Sequence, residues 1–239
     1  MRERATIGDF GLPPLPPWVR NLLLALFGAY IFELLLVNFA HLPLYALLAW
    51  YPDSFLAAPW QLATHWLVQG PEPTSVLFGL LALFFALPAL DRTLSRRQLL
   101  EATGSGIVFG WLAGLSADLV GLAIAPAYGW SFVAGAAFAL FGLAMPDAEV
   151  RVMFVLPVTG RTLAWGTGVI AAVIVLATRS LGATELLGAW GGVMLWWHHI
   201  GPWLRRRRLS SSGRRVAQKA QKFRVIDGGP WAPPDRDVH

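Results

Sequence analysis

Apolar residues run along this chain in long blocks separated by short polar or proline-bearing breaks. The blocks cover residues 21–38, 74–90, 98–115, 128–145, 162–178 and 185–203. A helix rises about 1.5 Å per residue, so about 20 apolar residues cross the hydrocarbon core of a bilayer. Each block is at the short end of that range, and flanking Trp, Tyr and Arg side chains extend its reach. The pattern predicts six membrane-spanning helices in one bundle, with 1–17 as a proline-containing N-terminal segment and 204–239 as a basic, flexible tail.

Composition supports the bilayer as solvent. Of 239 residues, 56% are hydrophobic and 14% charged, more apolar surface than a water-soluble domain of this size can hide. The chain has no cysteine, which excludes disulfides, thiolate nucleophiles and thiolate metal sites. The opening stretch MRERATIGDFGLPPLPPWVR carries no small-residue cleavage pattern after its apolar run, so a signal anchor is expected rather than a cleaved leader.

Charge fixes an expected orientation through the excess of Lys and Arg on the cytoplasmic side. Arg2, Arg4 and Arg20, then Arg92, Arg96 and Arg97, then Arg151 and Arg161, then the tail from Arg205 fall on one side of a six-span arrangement, and Arg179 is the main exception. Both termini are therefore expected in the cytoplasm, in a bacterial inner membrane. The RRRR run at 205–208 reads as a topology signal that meets anionic lipid, not as a nucleic-acid site.

The loop after the first block, HLPLYALLAWYPDSFLAAPWQLATHWLVQGPEP, is long, aromatic and weakly charged. Trp50, Tyr51, Trp60 and Trp66 are expected at the head-group level, with the loop dipping into the membrane as short interfacial helices. Backbone polar groups at that depth must be satisfied internally. Small residues mark helix contacts: Gly106, Gly110 and Gly114, then Gly135, Ala139 and Gly142, then Gly188 and Gly192. Such faces let backbones approach where no hydrophobic drive joins two helices.

Several local patterns follow one another in order: PWQLATHWLV, SVLFGLLALFFALPALDRTLSRRQLL, VAGAAFALFG and GAWGG. Over about residues 18–203, this succession resembles the rhomboid intramembrane serine proteases, including the dipping first loop with Trp60 and the cluster Asp91, Arg92, Arg96 and Arg97. The resemblance implies an all-α, six-helix, rhomboid-like bundle. Its fourth-span motif aligns Gly135 and Gly142 with two family glycines, which puts the nucleophile at Ala134 and the first glycine at Phe132. Counting back from Gly191 and Gly192 puts the base at Ala189, and the oxyanion donors fall on Ser75 and Gly79.

Serine proteolysis requires an activated hydroxyl, a base within reach and donors for the oxyanion. A methyl group at Ala134 and another at Ala189 supply neither of the first two. The resemblance therefore implies a pseudoprotease, a scaffold that binds transmembrane helices of client or complex partners without cleaving them. Two alternatives stand beside it: an active rhomboid protease, and an accessory subunit of a larger bacterial membrane complex. A shifted nucleophile at Ser131 lacks a following glycine, and His198 and His199 lie about 14 to 15 Å beyond Ala189 along the helix axis.

The remaining polar residues leave choices open. Glu33, deep in the first block, is a functional candidate by default, while a protonated or snorkelling carboxyl with an internal hydrogen bond is the alternative. His65 reads as a loop-ordering residue. Adjacent histidines at 198 and 199 diverge on a helix and read as interfacial anchors. No catalytic group, cofactor site or metal-ligand spacing is expected.

Overall fold

The computed structural model describes residues 15–54, 56–70, 73–152 and 156–208. The expected N-terminal segment up to residue 14, and the tail from residue 209, lie outside these. The compact unit of the chain ends at Gly201, and 202–208 belong to a second unit.

Helix α1, Pro17–Asn38, begins with proline in its first turn, where the missing N–H costs no hydrogen bond. Loop 1 follows and contains the short helices α2, Leu44–Leu48, and α3, Gln61–Thr64, and a 3₁₀ turn, His65–Leu67. Helix α4, Pro73–Thr93, turns within a few residues into α5, Arg96–Leu119. Helix α6 is Ser131–Ala144, and an antiparallel hairpin of β1, Glu149–Val152, and β2, Leu156–Thr159, leads into α7, Gly160–Thr178. Helix α8, Leu181–Leu195, ends in a π-helical turn, Trp196–Ile200.

The described residues are thus mostly helical, and among them α1, α4, α5 and α7 are the four helices long and apolar enough to cross a membrane. The hairpin adds a small sheet that an all-α reading lacks. Its strand EVRV alternates polar and β-branched residues, a pattern suited to a pleated strand.

Helix α6 has 14 residues, shorter than the apolar block 128–145. Gly129, at φ +81°, forms a turn before it that a helix cannot continue through. At 1.5 Å per residue α6 is about 21 Å long. It contacts α4, α5, α7 and α8, and most of its residues are buried.

Small residues set the helix spacing. The most extensive pairing is α5 with α8. There a β-carbon added at Gly188 would sit 2.5 Å from the Phe109 carbonyl oxygen, and one at Gly192 would sit 2.7 Å from that of Ser105. From the other side, β-carbons added at Gly110 and Gly106 would sit 3.0 and 3.3 Å from the carbonyl oxygens of Glu185 and Ala189. Ser105 Oγ donates to the Gly192 carbonyl at 2.9 Å, which adds a polar tie to the seam. On α6, Gly135 meets Leu186 of α8 and Gly142 meets the Gly160 backbone of α7.

Helix α1 is a rim element. An apolar cleft of about 290 Å³ separates it from α4, lined by Leu23, Leu24, Phe27, Leu77, Leu80 and Phe84 among others. Trp18 Nε1 donates to Asp91 Oδ1 at 3.1 Å and ties the start of α1 to the end of α4. Within the second unit, the Arg207 guanidinium lies 5.1 Å from the Trp203 ring centre.

Ser95 caps α5: its hydroxyl accepts from the Gln98 N–H, and the Gln98 side chain accepts from the Ser95 N–H. Ser95→Ala removes half of this reciprocal cap. The expected loss is about 0.5–2 kcal/mol in thermal unfolding followed by circular dichroism.

Candidate functional site

Loop 1, the α5–α6 linker and the α7–α8 turn meet at one end of the bundle. Trp50 pairs with Ala127 through both backbone groups, and Ala125 bridges to Ser180. Beneath this layer lie the buried residues Glu33, Gln61, His65, Gln69, Asp118 and Glu185. Three carboxylates, from α1, α5 and α8, each hold a different part of loop 1.

Glu33 accepts the Gln69 N–H at 3.0 Å on Oε1 and 2.9 Å on Oε2. The Gly70 N–H and the Tyr45 hydroxyl also donate to it. Glu33 is thus a buried carboxyl with internal hydrogen bonds to loop 1. Gly70 is needed for this approach twice over: its φ is +79°, and an added β-carbon would sit 2.5 Å from the Tyr128 ring. Burial, then the neighbouring Glu33, push the Tyr45 hydroxyl above its ordinary value, so it stays a proton donor.

Asp118 holds the middle of the loop. Its Oδ2 accepts from Trp50 Nε1 at 3.2 Å and its Oδ1 from the Asp53 N–H at 2.6 Å. The Trp50 ring lies on Gly114, whose missing side chain gives it room; a β-carbon there would be 2.8 Å from the indole. Trp50 is therefore fully buried within the protein, whereas Trp60 is 52% exposed. The difference follows from partners: Trp50 finds a buried acceptor on α5, while Trp60 donates to the Leu47 carbonyl within the loop.

His65 faces Glu185 with Nε2 3.1 Å from Oε1, and both side chains are essentially inaccessible. Among the described residues neither atom has another partner, and their alignment is not that of a regular hydrogen bond. Nδ1 lies 3.0 Å from the Gln61 carbonyl oxygen. That oxygen only accepts, so Nδ1 carries a proton. Burial pulls the imidazole down, but the facing Glu185 and the Gln61 and Leu62 backbone outweigh it, and the net shift is upward from 6.5. The sequence marks His65 as a loop-ordering residue, whereas Glu185 stands at the edge of its apolar block and carries no such mark.

The positions suggested by the family resemblance lie elsewhere. Ala134 and Ala189 are both buried in the apolar core. The Ala189 methyl faces Gly110 of α5, and it is Leu186 that crosses to α6 at Gly135. Gly79 lies under the Trp130 ring, which fills the place a side chain would take. Ser75, one turn earlier on α4, is exposed. Phe132 stacks toward His65 with ring centres 5.9 Å apart. Ser131 starts α6 and is exposed, whereas His65 is buried with Nδ1 on the Gln61 carbonyl and Nε2 facing Glu185. His198 and His199 lie exposed in the π-helical turn.

Among the described residues no group of three or more His, Cys, Asp or Glu side chains is arranged to hold a metal ion. Comparison of the chain with known families, curated proteins and solved structures returns no match.

Proposed function

We propose that the protein is a six-span, rhomboid-like membrane scaffold that binds transmembrane segments of partner proteins without cleaving them, with both termini in the cytoplasm. The observation that carries this reading is the division of labour among buried groups. Ala134, Ala189 and the Trp130-covered Gly79 form an apolar interior, while the buried acids and His65 are committed to holding loop 1. Acyl transfer needs a hydroxyl and a base that share a proton, and here the buried histidine faces a carboxyl instead of a hydroxyl. The short α6, enclosed by four helices, and the close glycine contacts suit a rigid bundle whose outer faces remain open to other helices.

Purified protein incubated with a serine-directed fluorophosphonate and a single-span substrate is expected to give neither labelling nor cleavage. Native-detergent copurification is expected to recover single-span partners. Labelling at Ser131 or Ser75 would favour a protease, and one dominant multi-span partner would favour a complex subunit. The double substitution Ala134→Ser and Ala189→His is expected to leave activity undetectable, because Ala189 faces α5 and Trp130 occupies the oxyanion side.

A further inference from the structure

The contact between His65 and Glu185 joins a loop to a helix 120 positions later, and it is enclosed on all sides. Trp50 and Phe132 flank the imidazole with ring centres 5.9 Å away. Since Nδ1–H is fixed on the Gln61 carbonyl, Nε2 in the neutral ring is a bare lone pair 3.1 Å from Glu185 Oε1. Two lone pairs cannot face each other at 3.1 Å without repulsion. One proton between them removes it, whether written as imidazolium with carboxylate or as imidazole with carboxylic acid. Either form is neutral overall, which an enclosed apolar site requires.

We propose that His65 and Glu185 form a one-proton site that fastens loop 1 to α8, and that loss of this proton unfastens the loop from the bundle. The proton leaves to solvent as hydroxide-side conditions take it, and the pair is left as imidazole facing carboxylate, a buried unpaired charge. Opening relieves that charge by exposing it to water. What opens is the layer over the start of α6: the Trp50 ring leaves Gly114, and Phe132 loses its cover.

Other titratable groups around the pair do not supply the same device. On the described part of loop 1 these are His41, which is exposed and away from the buried pair's enclosure, and Tyr45, Tyr51 and Asp53; on α1, Glu33; on α5, Asp118; in the α5–α6 linker, Tyr128; and before α8, Arg179. Asp118 and Glu33 already receive hydrogen bonds from loop N–H groups. Arg179 donates to the carbonyls of Leu122 and Gly121. Tyr45 is held above its ordinary range. Helix α6 brings no titratable side chain.

The direction with pH follows from linkage. A histidine held above its ordinary value stabilises the closed loop fully below that ordinary value, and this contribution is lost as pH rises through the raised one. Hydrogen exchange of the full-length protein in detergent reads this directly at the Trp50, Ala127 and Gly129 amides, which donate to Ala127, Trp50 and His65 carbonyls. After correction for intrinsic rate, protection is expected to be flat between the ordinary carboxyl and ordinary imidazole values, where the closed and opened forms each hold one proton. It should then fall about tenfold per pH unit between the ordinary and raised imidazole values, the slope of one proton.

Glu185→Gln places an amide N–H on Nε2 in place of the shared proton, and its protection is expected to stay flat above the ordinary imidazole value, where wild type falls, and to drop only below that value as the opened histidine takes up a proton. Glu185→Ala leaves Nε2 unpaired, and its protection is expected to be low throughout. A wild-type profile flat with pH would overturn the proposal even if no variant folds. So would a Glu185→Gln profile with the wild-type slope, since another group would then carry the proton.

Discussion

Trp50→Ala is expected to cost about 3–5 kcal/mol, the range for deleting a large aromatic from a packed interior. The indole is completely buried, it fills the space above Gly114, and its N–H satisfies one Asp118 oxygen. Removal leaves a cavity under loop 1 and takes a hydrogen-bond donor from a buried carboxylate at once. Trp50→Phe separates the two effects: the ring still packs, and the remaining loss is that of the Asp118 donor, about 1–3 kcal/mol. Thermal unfolding in detergent is expected to rank wild type above Trp50→Phe above Trp50→Ala. Equal midpoints for all three would show that loop 1 adds nothing to the stability of the bundle.

The layout of the bundle was largely visible in the chain because apolar blocks and the breaks between them are local features. Helices α1, α4, α5 and α7 fall on four of the blocks. Partnership was not visible wherever it depends on residues far apart. Glu33 stood out as a charge within an apolar run, yet its partners are a loop amide and a tyrosine that no periodicity marks. Glu185 looked like a boundary residue, and only the fold brings His65 within 3.1 Å of it. Trp50 and Trp60 share a composition and a loop, and what separates them is an acid on α5 beside a glycine. The Ala134 and Ala189 positions were read from order along the chain, which carries no information on which neighbour each methyl faces.

The second large effect concerns Gly142. A β-carbon there would run into the carbonyl oxygen of Gly160, and the next nearest atoms belong to Ala164. Two of these neighbours are backbone atoms and none is the end of a flexible side chain, so relief requires α6 and α7 to separate. Gly142→Ala is expected to destabilise by about 1–3 kcal/mol, the cost of overpacking a dense core, despite the better helix propensity of alanine. Gly166→Ala and Gly191→Ala are the controls, since nothing lies within 4 Å of a β-carbon at either place. Each is expected to be neutral or to gain about 0.5–1 kcal/mol. The same unfolding measurement checks all three, and an undisturbed midpoint for Gly142→Ala would mean that α6 and α7 are not in backbone contact.

The glycine seam between α5 and α8 also decides which parts of the protein are free to move. Backbone carbonyls and glycine carbons interlock from both sides over Gly106, Gly110, Gly188 and Gly192, so sliding either helix by a single residue drives a side chain into a main chain. Those two helices are therefore expected to move as one body. Helix α1 has no such interlock and only 11% of its apolar window is buried, against 44% for α4. Rocking on a microsecond scale is therefore expected at α1, pivoting about the Trp18–Asp91 tie at one end while Glu33 tethers the other to loop 1.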